Sequence, residues 1–338
     1  MATVLLEVTR GAVVESRHYG AIAVVDADGA LRAHAGDPGL VTYLRSAAKP
    51  LQALPLVASG AAARFAFTGE ELAVCAASHS GEPAHRAAVA GLLARLGLDP
   101  SALRCGVIPP IDRAEAARVV AGVLPPGPLY NDCSGKHAAM LATCLHRGWP
   151  LDGYLDPDHP LQREILGVMS ALLDLPERAI PIAVDGCGVP TFAAPLANLA
   201  GAWARLAAPV GPYAEAARPV LDAMAAHPFM VAGSGRLCTD LMESAGGRVV
   251  AKVGAEGVLC LGLRERGWGV AVKIADGGSR ALPAVAASVL AQLGALDDAA
   301  LARFTARQQP VVWNKDRAWG PTGELRPVFT LQGVRRGG

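Results

Sequence analysis

The sequence is poor in charge. Only 18% of its 338 residues are Asp, Glu, Lys or Arg, against 52% hydrophobic, and the net charge is +1. This excludes a disordered chain, which needs low hydrophobicity and high net charge. A basic block is also lacking, which excludes nucleic acid and anionic membrane as natural partners. No uninterrupted apolar run approaches the roughly 20 residues of a membrane-spanning helix. Met1 to Arg10 lacks a basic n-region and meets Glu7 before any long apolar stretch, so no signal peptide is expected. Disulfide-framework spacing is missing too: the seven cysteines are odd in number and scattered. Reduced thiols in a cytoplasmic protein follow, most of them small buried hydrophobes. There is no internal repeat and no low-complexity linker. Gly233-Ser-Gly235-Arg236 enters a helix without a Walker or Rossmann pattern, so it is not a nucleotide site.

What is present is a set of short polar islands in apolar surroundings. Ser46 and Lys49 stand three apart at the start of a helical run. That spacing puts both side chains on one helix face, where they can share a proton. A serine needs a base to attack at neutral pH, and a lysine serves if burial or neighbouring positive charge lowers its pKa. S-x-x-K is a known serine-nucleophile motif, but a solvated Ser-Lys pair is the commoner origin of one isolated match. Pro50 and Pro55 favour the first turn of this helix and kink its middle.

Residues 2–8 and 20–35 read as strands, with Asp26-Ala-Asp28-Gly29 as a hairpin turn. The polar run Glu15 to Gly20 before them reads as an exposed bend or a binding edge. Thr68-Gly-Glu-Glu71 fits a capping box and opens a helix through Cys75 toward Ser78-His-Ser80-Gly81. Asp112 to Glu115 is a second capping-box candidate, for a short helix to Val123. Cys133, Gly135 and Lys136 precede an apolar helix, Ala138 to Cys144, at the kind of helix start that favours anions and lowers a thiol pKa. Ile180 to Val184 reads as a buried strand ending in Asp185-Gly-Cys187-Gly, where glycines permit close approach to a ligand. Helices are expected at 190–207 and 213–226, then strands at 248–254, 258–263 and 267–275, and a helix at 281–295. The tail after Ala306 reads as irregular, with Trp313 to Gly320 closing over another surface. Lys252-Val-Gly254 resembles a K-T-G strand with Val in the middle. One intertwined unit over 1–338 is expected: an α/β architecture whose sheet lobe comes from the N- and C-terminal parts and whose helical lobe lies in the middle.

Seven motifs in this order, Glu15-Ser-Arg-His18, Arg45-Ser-Ala-Ala-Lys-Pro50, Ser78-His-Ser-Gly-Glu82, Asn131-Asp-Cys-Ser-Gly-Lys-His137, Asp185-Gly-Cys-Gly-Val-Pro190, Gly235-Arg-Leu-Cys238 and Lys252-Val-Gly-Ala-Glu-Gly257, resemble the rhizobial-type (class 3) L-asparaginases, the asparaginase II family. The resemblance implies a fold like serine β-lactamases and glutaminases, with an antiparallel-rich sheet flanked by helices. It implies a homodimer that hydrolyses L-asparagine to L-aspartate and ammonia. It implies Ser46 as nucleophile with Lys49 as base, and Ser78 paired with Lys252. One zinc ion per chain would be held by Cys133, Lys136, Cys187 and water. Arg45, His137, Asp185 and Cys238 would line the substrate pocket. Asp132 departs from the pattern, which expects a second Asn, and the chain is shorter than relatives between Gly188 and Gly233.

Two lysines near one serine repel, so one of them should titrate low. Backbone N–H groups near Ser46 would form the oxyanion site. Lysine is an unusual zinc ligand because it must first lose its proton. A penicillin-recognising hydrolase predicts an export signal and an S-x-N motif, and neither is visible. A glutaminase differs by one substrate methylene, and a zinc- or thiol-dependent binding protein would leave both Ser-Lys pairs unexplained.

Overall fold

In the computed structural model, which describes residues 2–333, the fourteen-residue strand Val13–Asp26 changes partners along its length. Its first half pairs antiparallel with Thr3–Arg10. Its second half, from Gly20 to Asp26, lies between Trp268–Ile274 and Leu31–Ala35. Gly20 stands at the switch because a Cβ there would meet the Lys273 carbonyl oxygen at 2.1 Å. The turn that follows is fixed by Asp26, whose carboxylate accepts from Asp28 N, Ala30 N and Arg32 Nε. This is the predicted hairpin. The polar run Glu15 to Gly20 lies within the strand rather than at a bend, with two register shifts in its pairing to Thr3–Arg10: Arg17 pairs with Glu7, and His18 Nδ1 lies 2.7 Å from Asp276.

This strand centres an eight-stranded antiparallel sheet in the order Val311–Trp313, Pro321–Pro327, Thr3–Arg10, Val13–Asp26, Trp268–Ile274, Val258–Leu263, Val249–Gly254, with Leu31–Ala35 beside Val13–Asp26. It belongs to a unit formed by Met1–Thr42, Ala194–Ala208 and Asp240–Gly338. Consecutive residues Ala21 to Val25 are all buried, so both faces of the sheet are covered. The helix Leu196–Ala207 supplies one cover, packing so closely that a Cβ on Gly269 would lie 1.9 Å from the Ala200 carbonyl oxygen. Each fully buried Leu, Ile or Val contributes about 1.5–3 kcal/mol of hydrophobic stabilisation.

The second unit, Tyr43–Ala193 with Pro209–Thr239, is mostly helical. Its centre is the helix Ser134–Arg147, buried over its first eleven residues. The helix starts earlier than the pattern suggests, so Lys136 and His137 lie within its first turn. Gly135 makes that burial possible: a Cβ there would sit 2.2 Å from the Val74 carbonyl oxygen on the neighbouring helix Gly69–Cys75. The latter begins with the expected capping box, Thr68 accepting from Glu71 N and Glu71 accepting from Thr68 N. Asp112 caps Arg113–Val120, but Glu115 turns to Arg86 and Arg118 instead of back to the cap.

Three expectations are corrected. Residues 190–195 form a strand paired with Ile182–Val184, because Pro190 and β-branched Thr191 suit extended backbone. Ile182 and Val184 are exposed, so that edge is not buried. The tail is ordered: Asp297 caps the helix Asp298–Gln308, and Pro321–Pro327 joins the sheet beside Thr3–Arg10. Trp319 remains exposed. Among the described residues no helix is long and apolar enough to cross a membrane.

Candidate active site

Two proline-interrupted turns carry the first group. Arg45 to Ala48 form a 3₁₀ turn, and Lys49–Gln52 continues it as α-helix with Pro50 in its first turn. Lys49 N–H bonds back to the Ser46 carbonyl. Arg45 enters with φ +49°, a left-handed conformation that costs a non-glycine residue of order 1–3 kcal/mol and persists only when surroundings enforce it. Here Arg45 Nε donates to Asp185 at 2.8 Å, and that carboxylate is fixed by its own loop, accepting also from Gly186 N. Two residues expected to line the pocket are therefore joined to each other, at the entrance to Ser46. Ser46 itself is half-buried.

Lys49 is fully buried and donates to Ser78 Oγ at 2.8 Å, to the Asp132 carbonyl at 3.2 Å and to Asp132 Oδ2 at 3.3 Å. Among the described residues its side-chain hydrogen bonds thus go to Ser78 rather than to Ser46. Burial is the largest influence and works against its charge, but Asp132, Cys133 and Cys187 together outweigh it and hold the ammonium above the ordinary lysine range. Asp132, the departure from the family pattern, is the strongest positive influence on the central lysine. The expectation of a low-titrating lysine does not describe Lys49 in this arrangement.

Ser78 is positioned by the backbone. Its N–H donates to the Val231 carbonyl at 3.0 Å, and the next residue, His79, donates its N–H to Asp132 O at 3.3 Å. The His79 side chain, a buried strut, was missed by sequence reasoning as a structural element. Its Nδ1 accepts from Gly81 N at 3.1 Å, so Nε2 carries the proton and donates to Ser134 Oγ at 2.8 Å. Burial drives its pKa well down, with the stacked His85 adding to the effect. A histidine in a polar motif reads as a catalytic candidate; only the three-dimensional partners show that this one is a neutral brace.

The second group surrounds the start of Ser134–Arg147. Asn131 builds the turn, accepting from Cys133 N and donating to the Cys105 and Gly106 carbonyls. Lys136 Nζ then lies 3.0 Å from Cys187 Sγ, both buried. The Cys133 thiol hydrogen-bonds Cys187, which holds Cys187 far below an ordinary thiol despite burial, with Lys136 and His137 reinforcing the thiolate. Cys133, as the donor, is pushed up. Burial opposes the Lys136 charge, but Cys133 and Cys187 keep it an ammonium. His137 Nδ1 is 2.7 Å from Tyr154 Oη, which itself accepts from Arg104 N; Nε2 of His137 is buried without an oxygen or nitrogen partner. Elsewhere burial raises thiols, to about 12 at Cys105 and Cys144, as expected of inert packing. None of the seven cysteines is in a disulfide.

Two thiols, an amine and an orphaned imidazole nitrogen fit a thiophilic metal ion, provided Lys136 gives up its proton. Among the described residues no group of three or more His, Cys, Asp and Glu has metal-binding geometry, so any such ion depends on lysine as a ligand. The structure thus brings together Lys49 with Ser78, Lys136 with Cys187, and Arg45 with Asp185. Cys238 is buried in the first turn of Leu237–Ala245. Lys252 is buried on Val249–Gly254 in the sheet unit, where its Nζ donates to the Val253 carbonyl at 2.9 Å.

A match to known sequences defines the class of enzyme to which these groups belong: an amidohydrolase of the asparaginase type. The chain is a member of the L-asparaginase II family, whose model matches residues 6–327. No curated protein matches the chain. A crystal structure of a β-lactamase from Mycobacterium bovis is similar over 81% of this chain and 94% of that chain, with 16% identity and a TM-score of 0.39.

Proposed function

We propose that the enzyme hydrolyses L-asparagine to L-aspartate and ammonia, with Ser46 as the nucleophile and Lys49 and Ser78 moving its proton. The observation that carries this reading is the buried 2.8 Å hydrogen bond from Lys49 to Ser78, beside a half-buried Ser46 whose carbonyl Lys49 caps. Ser46 Oγ attacks the side-chain amide carbon, its proton passes to neutral Lys49 with Ser78 in the relay, and the amide nitrogen leaves as ammonia after taking a proton back. Water then releases aspartate by the same route reversed. Removing either serine is expected to stop turnover in folded protein, measured as ammonia release.

The same reading places zinc on Cys133, Lys136 and Cys187. Bound there, it would supply a fixed positive charge that orients the charged ends of the amino acid. The chain's own contribution is the buried thiolate of Cys187, kept by Cys133, and the His137 ring kept upright by Tyr154. Metal analysis of Cys187→Ala is expected to show loss of zinc, and Ser46→Ala to retain it. The proposed assembly is a homodimer, which light scattering checks. L-Glutamine belongs in every assay, because discrimination of one methylene is worth only about 1–3 kcal/mol in a pocket.

A further inference from the structure

Four cations of the helical unit, Arg45, Lys49, Arg86 and Lys136, have close partners, whereas Arg236 has no ion-pair partner among the described residues. Arg45 is paired with Asp185 at 2.8 Å, Lys49 with Asp132 at 3.3 Å and Arg86 with Glu115 at 2.7 Å. Lys136 Nζ lies 3.0 Å from Cys187 Sγ. Arg236 is half-buried and, among the described residues, has no carboxylate within ion-pair distance; its one side-chain hydrogen bond is from Nη1 to Ser80 Oγ at 3.2 Å.

That single bond is built with care. Ser80 Oγ spends its proton on the Ala232 carbonyl at 2.9 Å, so toward Arg236 it can only accept. The loop carrying Arg236 lies against Ser80 because residue 233 is glycine: φ there is +117°, and a Cβ would sit 2.6 Å from Ser80 Oγ. Glu82 pins the loop through Ser234, accepting from its N–H at 2.8 Å and from its hydroxyl at 2.9 Å. The same loop accepts the Ser78 N–H at Val231. A guanidinium is thus held on Ser80, two residues along the chain from the serine that Lys49 contacts, with most of its five donors unused.

We infer that Arg236 receives the α-carboxylate of the substrate amino acid. The inference rests on the proposed asparagine hydrolysis and makes the site selective for amides that carry a carboxylate. A planar guanidinium offers a carboxylate two parallel hydrogen bonds. Arg45 is a poorer recipient, since an incoming carboxylate would have to displace Asp185 and release the strained turn before Ser46. Arg236 is a binding residue that sets specificity, with no part in proton transfer.

The test compares L-asparagine with β-alaninamide, which is asparagine without its α-carboxylate, in wild-type enzyme, Arg236→Met and Arg236→Lys. Arg236→Met is expected to lose roughly 10- to 100-fold in kcat/KM on asparagine, mostly through KM, and to keep wild-type activity on β-alaninamide. Arg236→Lys, which keeps the charge without the fork, should fall between. Equal losses on both amides would show a structural role and overturn the inference, as would an unchanged KM for asparagine. Where β-alaninamide turns over too slowly in the wild type, inhibition by products decides. Arg236→Met must then weaken inhibition by L-aspartate but not by β-alanine, and equal inhibition by L-aspartate in both proteins overturns the inference. Wild-type enzyme that releases no ammonia from asparagine defeats the functional reading itself.

Discussion

Lys49 is buried completely, and a buried ammonium persists only with partners that offset its lost hydration. Asp132 is the main one, and its consequence is kinetic. Lys49 must be neutral to accept the serine proton, and Asp132 favours the charged form. Activity is therefore expected to climb toward alkaline pH. Asp132→Asn removes the largest raising charge, so that burial counts for more against the ammonium, and should move the acid limb of the kcat/KM profile to lower pH. An unmoved limb would show that another group controls it. The motif Arg45-Ser-Ala-Ala-Lys-Pro50 made Ser46 and Lys49 legible in the sequence because their relation is local. That Lys49 bonds Ser78 depends on chain segments twenty-nine residues apart, as the contact shows, and spacing carries no information about it. Asp132 was visible as a departure, but its effect on Lys49 was not.

Elements were legible where their signals are local. The Thr68 box, the Asp26 hairpin and the proline-broken run after Ser46 are all written in adjacent residues and all form. Residues 190–195 misled because a run of Ala and Leu begins just beyond them, at the helix Leu196–Ala207. The role of Gly135 was hidden because its partner, the Val74 carbonyl, lies on another helix. Gly135→Ala forces those helices apart or strains them, so it is expected to cost about 1–3 kcal/mol or more, as overpacked cores do. Denaturant unfolding measures this. An unchanged midpoint would mean the helix Ser134–Arg147 tolerates a shift, and the placement of Cys133 and Lys136 would then not depend on that packing.

At the scale of the whole molecule, the sheet unit is closed by strands from opposite ends of the chain, Leu6 facing Pro327 and Val8 facing Leu325. A pairing across that separation leaves no periodic trace, which is why the tail read as irregular. The helical unit gives stability a pH dependence of definite sign. His79 and His85 have pKa values driven below the ordinary 6.5 chiefly by burial. Above that value both are neutral whether folded or unfolded. Below it the unfolded chain takes up protons that the native state refuses, so stability falls as pH falls. The thermal midpoint is expected to drop between pH 7 and pH 5, and His79→Gln should flatten that drop even if it lowers the midpoint at pH 7. An equal slope in both proteins would assign the effect to other groups.

The central claim is that Ser46 attacks a side-chain amide. Ammonia release from L-asparagine by wild-type and Ser46→Ala enzyme, both confirmed folded and equal in zinc content, tests it most directly. The account predicts release by the wild type and a loss of roughly 10³-fold or more in the variant, as removal of a serine nucleophile produces elsewhere. Comparable rates in the two proteins would contradict it.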